Sequence, residues 1–219
     1  MGKVSLLIFF LFAVLFSYGQ NFRLGFQASP HLTWMNSSSK TVTPDKSRVG
    51  IKYGVEADIF LAGQPRYSFN TGLFVAYHSF STLYNSDKSF VIDGKVFDDP
   101  TKIMYKLNYI EIPMNLKLRS DQFYRLTYYG QFGLTNYINI STAAYSSDSQ
   151  LDGNNVPDAF GFYNFGLIMG GGAEYDIGGN TALNFGIQYT NALLDYSTIK
   201  ALDEKSKFHS IRLILGVLF

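Results

Sequence analysis

The chain has 219 residues, and its 18 Lys and Arg against 17 Asp and Glu give a net charge of +1. It has no Cys, which excludes disulfides, thiolate metal sites, a Cys nucleophile and a lipid-modified N-terminal Cys. Phe, Tyr and Gly are abundant and charged residues make up 16%, a composition that leans to β-structure and lacks the basic excess of a nucleic-acid binder. The first element is a targeting segment. Lys3 precedes the apolar run Val4 to Phe16, and Ser17-Tyr18-Gly19 offers small residues where a signal peptidase acts, so cleavage is expected after Gly19. The run is shorter than the ~20 residues of a membrane-spanning helix. Loss of Lys3 leaves residues 20–219 as one domain of zero net charge. No later apolar stretch reaches helical membrane length, so membrane insertion would require a closed barrel.

Residues 20–219 then alternate between apolar and polar positions, the period of a β-strand. The first strand carries Phe22, Leu24, Phe26, Ala28 and Trp34 on one face, with Arg23, Gln27, His31 and Thr33 between. The second sets Val49, Ile51, Tyr53, Val55, Ala57, Ile59 and Leu61 against Lys52, Glu56 and Asp58. The third has Tyr67, Phe69, Leu73, Val75 and Tyr77 on its oily side. The fourth, starting near Met104, sets Ile110, Ile112, Met114, Leu116 and Leu118 against Glu111, Pro113, Asn115, Lys117 and Arg119. Its oily parity slips between Tyr109 and Ile110, which predicts a bulge there, and Pro113 demands a missing ladder bond. The fifth, from about Tyr124 to Ile140, opposes Leu126, Tyr128, Phe132 and Leu134 to Arg125, Thr127, Gln131 and Thr135. The sixth opposes Phe165, Leu167, Met169, Ala173, Tyr175 and Ile177 to Asn164, Gly166, Gly170, Gly172, Glu174 and Asp176. The seventh sets Leu183, Phe185, Ile187 and Tyr189 against Asn184, Gly186 and Gln188. The eighth has Ile211, Leu213, Leu215, Val217 and Phe219 on one side and Ser210, Arg212 and Gly216 on the other.

Short turn-forming connections (Ala62 to Arg66, Ser120 to Phe123, Gly178 to Thr181) alternate with long polar ones (Met35 to Arg48, Ser81 to Ile103, Ser141 to Ala159, Asn191 to Lys207). This predicts an all-β, eight-stranded antiparallel up-and-down barrel with both ends of the chain at its short-turn end. Asp93-Gly94 between apolar runs predicts a small hairpin in one long loop. Four features put the oily face outward, toward lipid, rather than inward as in a soluble ligand-binding barrel. That face is nearly free of charge. The other is rich in Gly, which makes room inside a narrow barrel. Trp34, Tyr53, Tyr67, Tyr124 and Tyr189 sit near strand ends as interfacial girdles do. Phe219 closes an alternating strand, the pattern of an outer-membrane assembly signal. The expected architecture is therefore a transmembrane barrel with four long extracellular loops and short periplasmic turns.

The segment "YIEIPMNLKL" resembles the Tyr-hydrophobic-Glu-Ile-Pro-x-x-Leu-Lys strand of the PorT family of outer-membrane β-barrels. "NFGLIMGGGAEY" is similar to that family's Phe-Gly-Leu…Gly-x-Gly-x-Glu-Tyr strand, and "IQYTNALLDY" with the closing "LGVLF" resembles its C-terminal part. The resemblance covers essentially all of residues 20–219. It implies an eight-stranded barrel in a Gram-negative outer membrane, and its namesake implies a part in type IX secretion.

The inward charges form the candidate site: Arg23, Lys52, Lys117, Arg125 and Arg212 against Glu56, Asp58, Glu111 and Glu174. They either line a conducting pore or proton path, or pair into a plug that fixes register; unpaired buried charge is costly, which favours the plug. His31 and His78, with Ser29, Ser79 and Asp87, do not form a recognisable triad, and Gly-x-Ser-x-Gly is absent, so no enzyme is expected. No metal or other cofactor is expected either. The long loops carry Tyr84, Phe90, Val91, Ile92, Val96, Phe97, Tyr145, Leu151 and Val156, which either form a contact surface or pack on one another. Two functions stay open. One is a structural or interaction protein, monomeric as a barrel, whose partners are membrane lipid and proteins bound through loops or periplasmic turns. The other is a small-ligand or solute transporter of porin-like type.

Overall fold

The computed structural model describes residues 22–37, 42–84, 90–92, 94–97, 100–148, 150–156, 161–194 and 206–219. The targeting segment expected at 1–19 lies outside them. In chain order the strands are β1 (Phe22–Ser37), β2 (Val42–Phe60), β3 (Tyr67–Tyr84), β4 (Phe90–Ile92), β5 (Lys95–Phe97), β6 (Thr101–Arg119), β7 (Leu126–Ser146), β8 (Asp152–Asn155), β9 (Tyr163–Gly178), β10 (Thr181–Ala192) and β11 (Ser206–Leu218). β1, β2, β3, β6, β7, β9, β10 and β11 pair antiparallel in that order, and β11 returns to β1 to close an eight-stranded barrel. β4 and β5 form the hairpin foreseen in the sequence, with Gly94 at φ +71°. β8 adds to the upper part of β7.

Alternation decides the two faces. Phe26 is 60% exposed and Ile187 58%, while Glu111 and Arg212 are fully buried. The oily face is therefore the outside of the barrel. On β6 the outward residues Leu118, Leu116, Met114, Ile112 and Ile110 give way to Asn108 and Lys106. On β11 the outward run from Phe219 to Ile211 gives way to His209 and Lys207. Each apolar run spans about nine residues, enough for a tilted strand to cross a bilayer. Aromatic residues border the band. Trp34 stacks on His209 at 5.8 Å and lies 6.4 Å from Tyr189, and Tyr53 stacks on Tyr77 at 6.1 Å, all toward the long-loop end. Tyr67, Tyr128 and Tyr175 stand at the short-turn end, which completes two girdles.

The strands outrun the band. β6 has 19 residues and β7 has 21, roughly twice what the crossing needs. The first long connection shrinks accordingly, because β1 runs on to Ser37 and β2 begins at Val42. Above the band the inside of the barrel is dry. Phe80, Tyr105, Leu107, Tyr109, Tyr137, Phe208 and Ile103 are buried together there, joined by Phe97, Leu151 and Val156 from the loops. The apolar loop residues are thus divided, since Val91 and Val96 remain exposed.

The bulge falls on a different strand from the one expected. β6 keeps its odd-numbered residues inward from Thr101 to Arg119 without a slip. The extra residue is Ile140 of β7, because Asn108 pairs with Ser141 and Tyr109 with Asn139. The oily parity of β6 changes at Tyr109 because the dry side of the wall changes from outside to inside. Pro113 points inward, and its pairing with β3 is interrupted between Thr71–Met114 and Phe74–Glu111 without a change of register. No ladder N–H is needed at that place.

Several inward glycines leave space for a neighbour's side chain. A Cβ on Gly172 would meet the Phe185 carbonyl oxygen at 2.1 Å and Tyr129 Oη at 2.7 Å, and one on Gly186 would meet Tyr129 Oη at 2.5 Å. Outward Gly130 has nothing within 4 Å of that position. Gly172→Val is therefore expected to lower stability by about 1–3 kcal/mol through overpacking. Gly130→Val is expected to leave it nearly unchanged. Urea titration of the protein folded in phospholipid vesicles distinguishes the two.

Candidate functional site

The inward polar residues meet in two layers across the lumen. Nearer the short turns, Asp58 of β2 and Glu174 of β9 face each other across the barrel. Lys117 of β6 bridges them, with Nζ 3.3 Å from Asp58 and 2.7 Å from Glu174. Arg119, two residues along the same face, donates Nε to Glu174 at 3.2 Å, pairs with Asp58 and donates to Ser68 Oγ at 2.7 Å. Arg23 of β1 pairs with Glu174 and lies 3.7 Å from Asp58. Asn70 donates to Asp58 at 2.8 Å. Two carboxylates thus hold three cations contributed by two strands, and β1, β2, β3, β6 and β9 are tied together.

The next layer centres on Glu111 of β6. Arg212 of β11 approaches its carboxylate at 2.8 Å, Lys52 of β2 at 3.3 Å, and His78 Nε2 of β3 donates to it at 3.0 Å. Lys52 Nζ also sits 4.0 Å above the Phe74 ring, and Lys117 Nζ lies 4.3 Å above Tyr129. These cation–π contacts offset part of the cost of drying an ammonium. Glu56 stands between the layers and accepts from Asn70 at 3.3 Å and Asn184 at 3.4 Å. The gap bordered by Gln27, Lys52, Glu56 and Gln131 is about 10 Å³, near the volume one water needs and too small to pass a solute.

His78 links the polar layers to the apolar cap. Thr33 donates its hydroxyl to His78 Nδ1 at 3.1 Å, and the ring lies 4.5 Å from His31. On its other sides stand Phe208, Tyr109 and Tyr137 at 5.3, 5.9 and 6.2 Å. Tyr137 and Phe208 pack edge-to-face at 5.3 Å, and Phe80 packs on Tyr105 at 5.8 Å. Each such ring pair adds about 0.5–1.5 kcal/mol beyond its buried area. The long-loop end of the lumen is stoppered by aromatic side chains. The short-turn end opens into a shallow cavity of about 390 Å³ lined by Phe22, Arg23, Gln122, Glu174, Asp176 and Phe219.

The structure gathers Arg23, Lys52, Glu56, Asp58, Glu111, Lys117, Glu174 and Arg212 inside the barrel. Arg125 corrects the expected set. It is exposed in the turn before β7, where Phe123 and Leu126 exchange backbone hydrogen bonds and Tyr124 takes φ +57°. The strand begins only at Leu126, so the parity that would aim Arg125 inward does not yet apply. Arg119, whose parity is inward, supplies the guanidinium instead. Ser29 is buried with His31, but Ser79 takes an outward-facing position and Asp87 lies outside the described residues. Among the described residues no group of three His, Cys, Asp or Glu side chains converges as a metal site would.

No helix among the described residues is long and apolar enough to cross a membrane. A closed barrel with an apolar outer band, two aromatic girdles and an ion-paired lumen defines an integral membrane β-barrel. The chain belongs to the outer membrane protein beta-barrel domain family, whose profile matches residues 18–197. Its place is the outer membrane. No curated protein matches the chain. Among solved structures it is similar to Neisserial surface protein A, with 16% identity, coverage of 89% of this chain and 95% of that one, and a TM-score of 0.49. It is similar to the outer membrane protease OmpT from Escherichia coli, at 10% identity, 91% and 95% coverage, and a TM-score of 0.45. It is also similar to outer membrane protein OprG from Pseudomonas aeruginosa, at 10% identity, 90% and 95% coverage, and a TM-score of 0.43.

The Glu111 centre makes a sharp energetic prediction. Glu111→Leu strands Lys52 and Arg212 without their shared carboxylate and is expected to cost about 3–5 kcal/mol. Replacing all three by Glu111→Leu, Lys52→Met and Arg212→Met is expected to cost less than the single change, because the two cations leave together with the carboxylate they share. Equilibrium unfolding in vesicles measures both.

Proposed function

We propose that the protein is a closed, non-conducting outer-membrane barrel of the PorT kind that acts through its two ends, as a structural and interaction component of protein (type IX) secretion. The observation that carries this is the double closure of the lumen, by paired charges below and aromatic rings above. A barrel whose described residues close the lumen at two levels offers its rims rather than its interior. In this reading residues 1–19 are a cleaved signal peptide, the short turns face the periplasm and the long loops face outward. Protein partners meet the long-loop cap, where Val91 and Val96 stand exposed on the β4–β5 hairpin, or the periplasmic turns. The barrel strands leave no open edge through the band, which supports a monomer.

Phe219 serves assembly. Its ring lies 5.7 Å from Phe26 on the outer face, and its backbone exchanges hydrogen bonds with Leu24 where the barrel closes. A non-enzymatic role is supported by His31 and His78, which are sealed beneath Phe208, Tyr109 and Tyr137. Solute transport is the second reading, and the cavity of about 390 Å³ at the short-turn mouth is the feature that favours it.

Two measurements separate these readings. The purified protein is expected to show no steady conductance in planar bilayers, and reproducible ohmic channels would overturn the closed lumen. Deletion of the gene in its host is expected to deplete one class of secreted and surface-anchored proteins together, with recovery on complementation. An unchanged secretome, measured by mass spectrometry, would remove the secretion role.

A further inference from the structure

The outer face of the wall formed by β2, β3, β6 and β7 changes character above the lipid band. Lys102 and Lys106 occupy outward positions of β6. Lys46 of β2 pairs with Ser81, which pairs with Met104, which pairs with Tyr145, so one outward row runs across the four strands. Arg48 joins it through Nε, which donates to Ser81 Oγ at 2.8 Å. The Lys106 ammonium stands 4.6 Å above the Tyr145 ring, and both Lys46 and Lys106 are exposed. Asp45 pairs with Lys102, and Asp152 stands at the far edge, cross-strand from Tyr145. Among the described residues, four cations against two carboxylates leave the patch positive.

Its position is as informative as its sign. Directly below, on the same strands, Val49, Ile51, Val75, Tyr77, Ile110, Ile112, Ile138 and Ile140 make up the lipid-facing surface. Strands two apart in the wall are separated by about 10 Å, and Lys102 and Lys106 by about 13 Å along theirs. The cations are thus spread over the footprint of one headgroup. An apolar wall crowned by spaced cations complements an amphiphile with acyl chains below and phosphate above. A soluble anion would use only the upper half.

We infer that this wall is a docking surface for a phosphorylated glycolipid of the outer leaflet, held by Lys46, Arg48, Lys102 and Lys106 at its phosphates and by the apolar band at its acyl chains. The inference rests on the proposed orientation with long loops outward, and it does not depend on a secretion role. Orientation is checked separately. The chain has no Cys, so a maleimide label on Val96→Cys in intact cells, read on the protein's own band against the Cys-free wild type, reports it.

The test is native mass spectrometry and titration of the full barrel in detergent with bisphosphorylated lipid A. Retention of the lipid is expected, and each neutralised cation is expected to weaken it about five-fold. Lys46→Gln with Lys106→Gln should therefore lose about 30-fold, by the same surface attraction per charge. Lys95→Gln, on the β4–β5 hairpin, should change nothing. Dephosphorylated lipid A should bind more weakly. Equal retention by the double variant would overturn the inference. So would equal binding of the dephosphorylated lipid, or a preference for inorganic phosphate or phosphatidylglycerol. Heat-dependent migration on gels verifies that each variant is folded. Should the double variant not fold, the wild-type salt dependence decides: affinity must fall as ionic strength rises, and a flat response overturns the docking surface.

Discussion

A closed barrel of eight strands is only wide enough inside for side chains, so each charge its strands turn inward must find a partner across the lumen. Most of the structure follows from that. Glu111 can accept Arg212, Lys52 and His78 only because β11, β2 and β3 stand at heights that bring them to one point. Asp58 and Glu174 hold Arg23, Lys117 and Arg119 on the same condition. A one-residue slip of any strand would send its charges to lipid and its leucines into the lumen. The paired charges therefore act on register more than on stability, since a buried pair seldom outweighs the desolvation it requires. The inward glycines belong to the same constraint, because large rings such as Tyr129 need unoccupied positions opposite them.

One alternation serves two solvents. Through the lower half of β6 the apolar residues face out, and Glu111, Asn115 and Lys117 face in. Through the upper half Lys106 and Asn108 face out, and Leu107 and Tyr109 face in. The β6 backbone itself does not change at that point. What changes is where water is excluded: outside, by lipid, and then inside, by the aromatic cap.

This explains what could be seen in the sequence. The eight barrel strands, their order and the inward face of each were legible because a period of two survives wherever one side is dry. Pro113 was legible because its missing N–H restricts it to a gap in the ladder. The tops of the strands were less legible. "VTPDKSR" looks like a loop because β2 there carries Pro44, Asp45 and Lys46, yet it continues the sheet. The aromatic cap did leave a signal in "KIMYKLNY", where Ile103, Tyr105, Leu107 and Tyr109 share one parity and Lys102, Lys106 and Asn108 the other. That signal looks like a slip unless the dry side is allowed to switch. Arg125 was misplaced because a left-handed Tyr124 ends one phase and Leu126 starts the next, and no periodicity records such a turn. The partners across the lumen depend on barrel radius and stagger, which alternation does not contain.

The bulge at Ile140 is the place where the switch is cut into the chain. Below it β7 turns its odd-numbered residues inward, and above it Thr142 and Ala144 take the inward positions. The extra residue acts as a phase shifter between two segments with different grammars. The cap can be set in its own frame without disturbing the frame that faces lipid, and a lengthened or shortened segment above Ile140 can be absorbed by moving the shifter. Membrane insertion and the shape of the exposed end are thereby uncoupled within a single continuous strand.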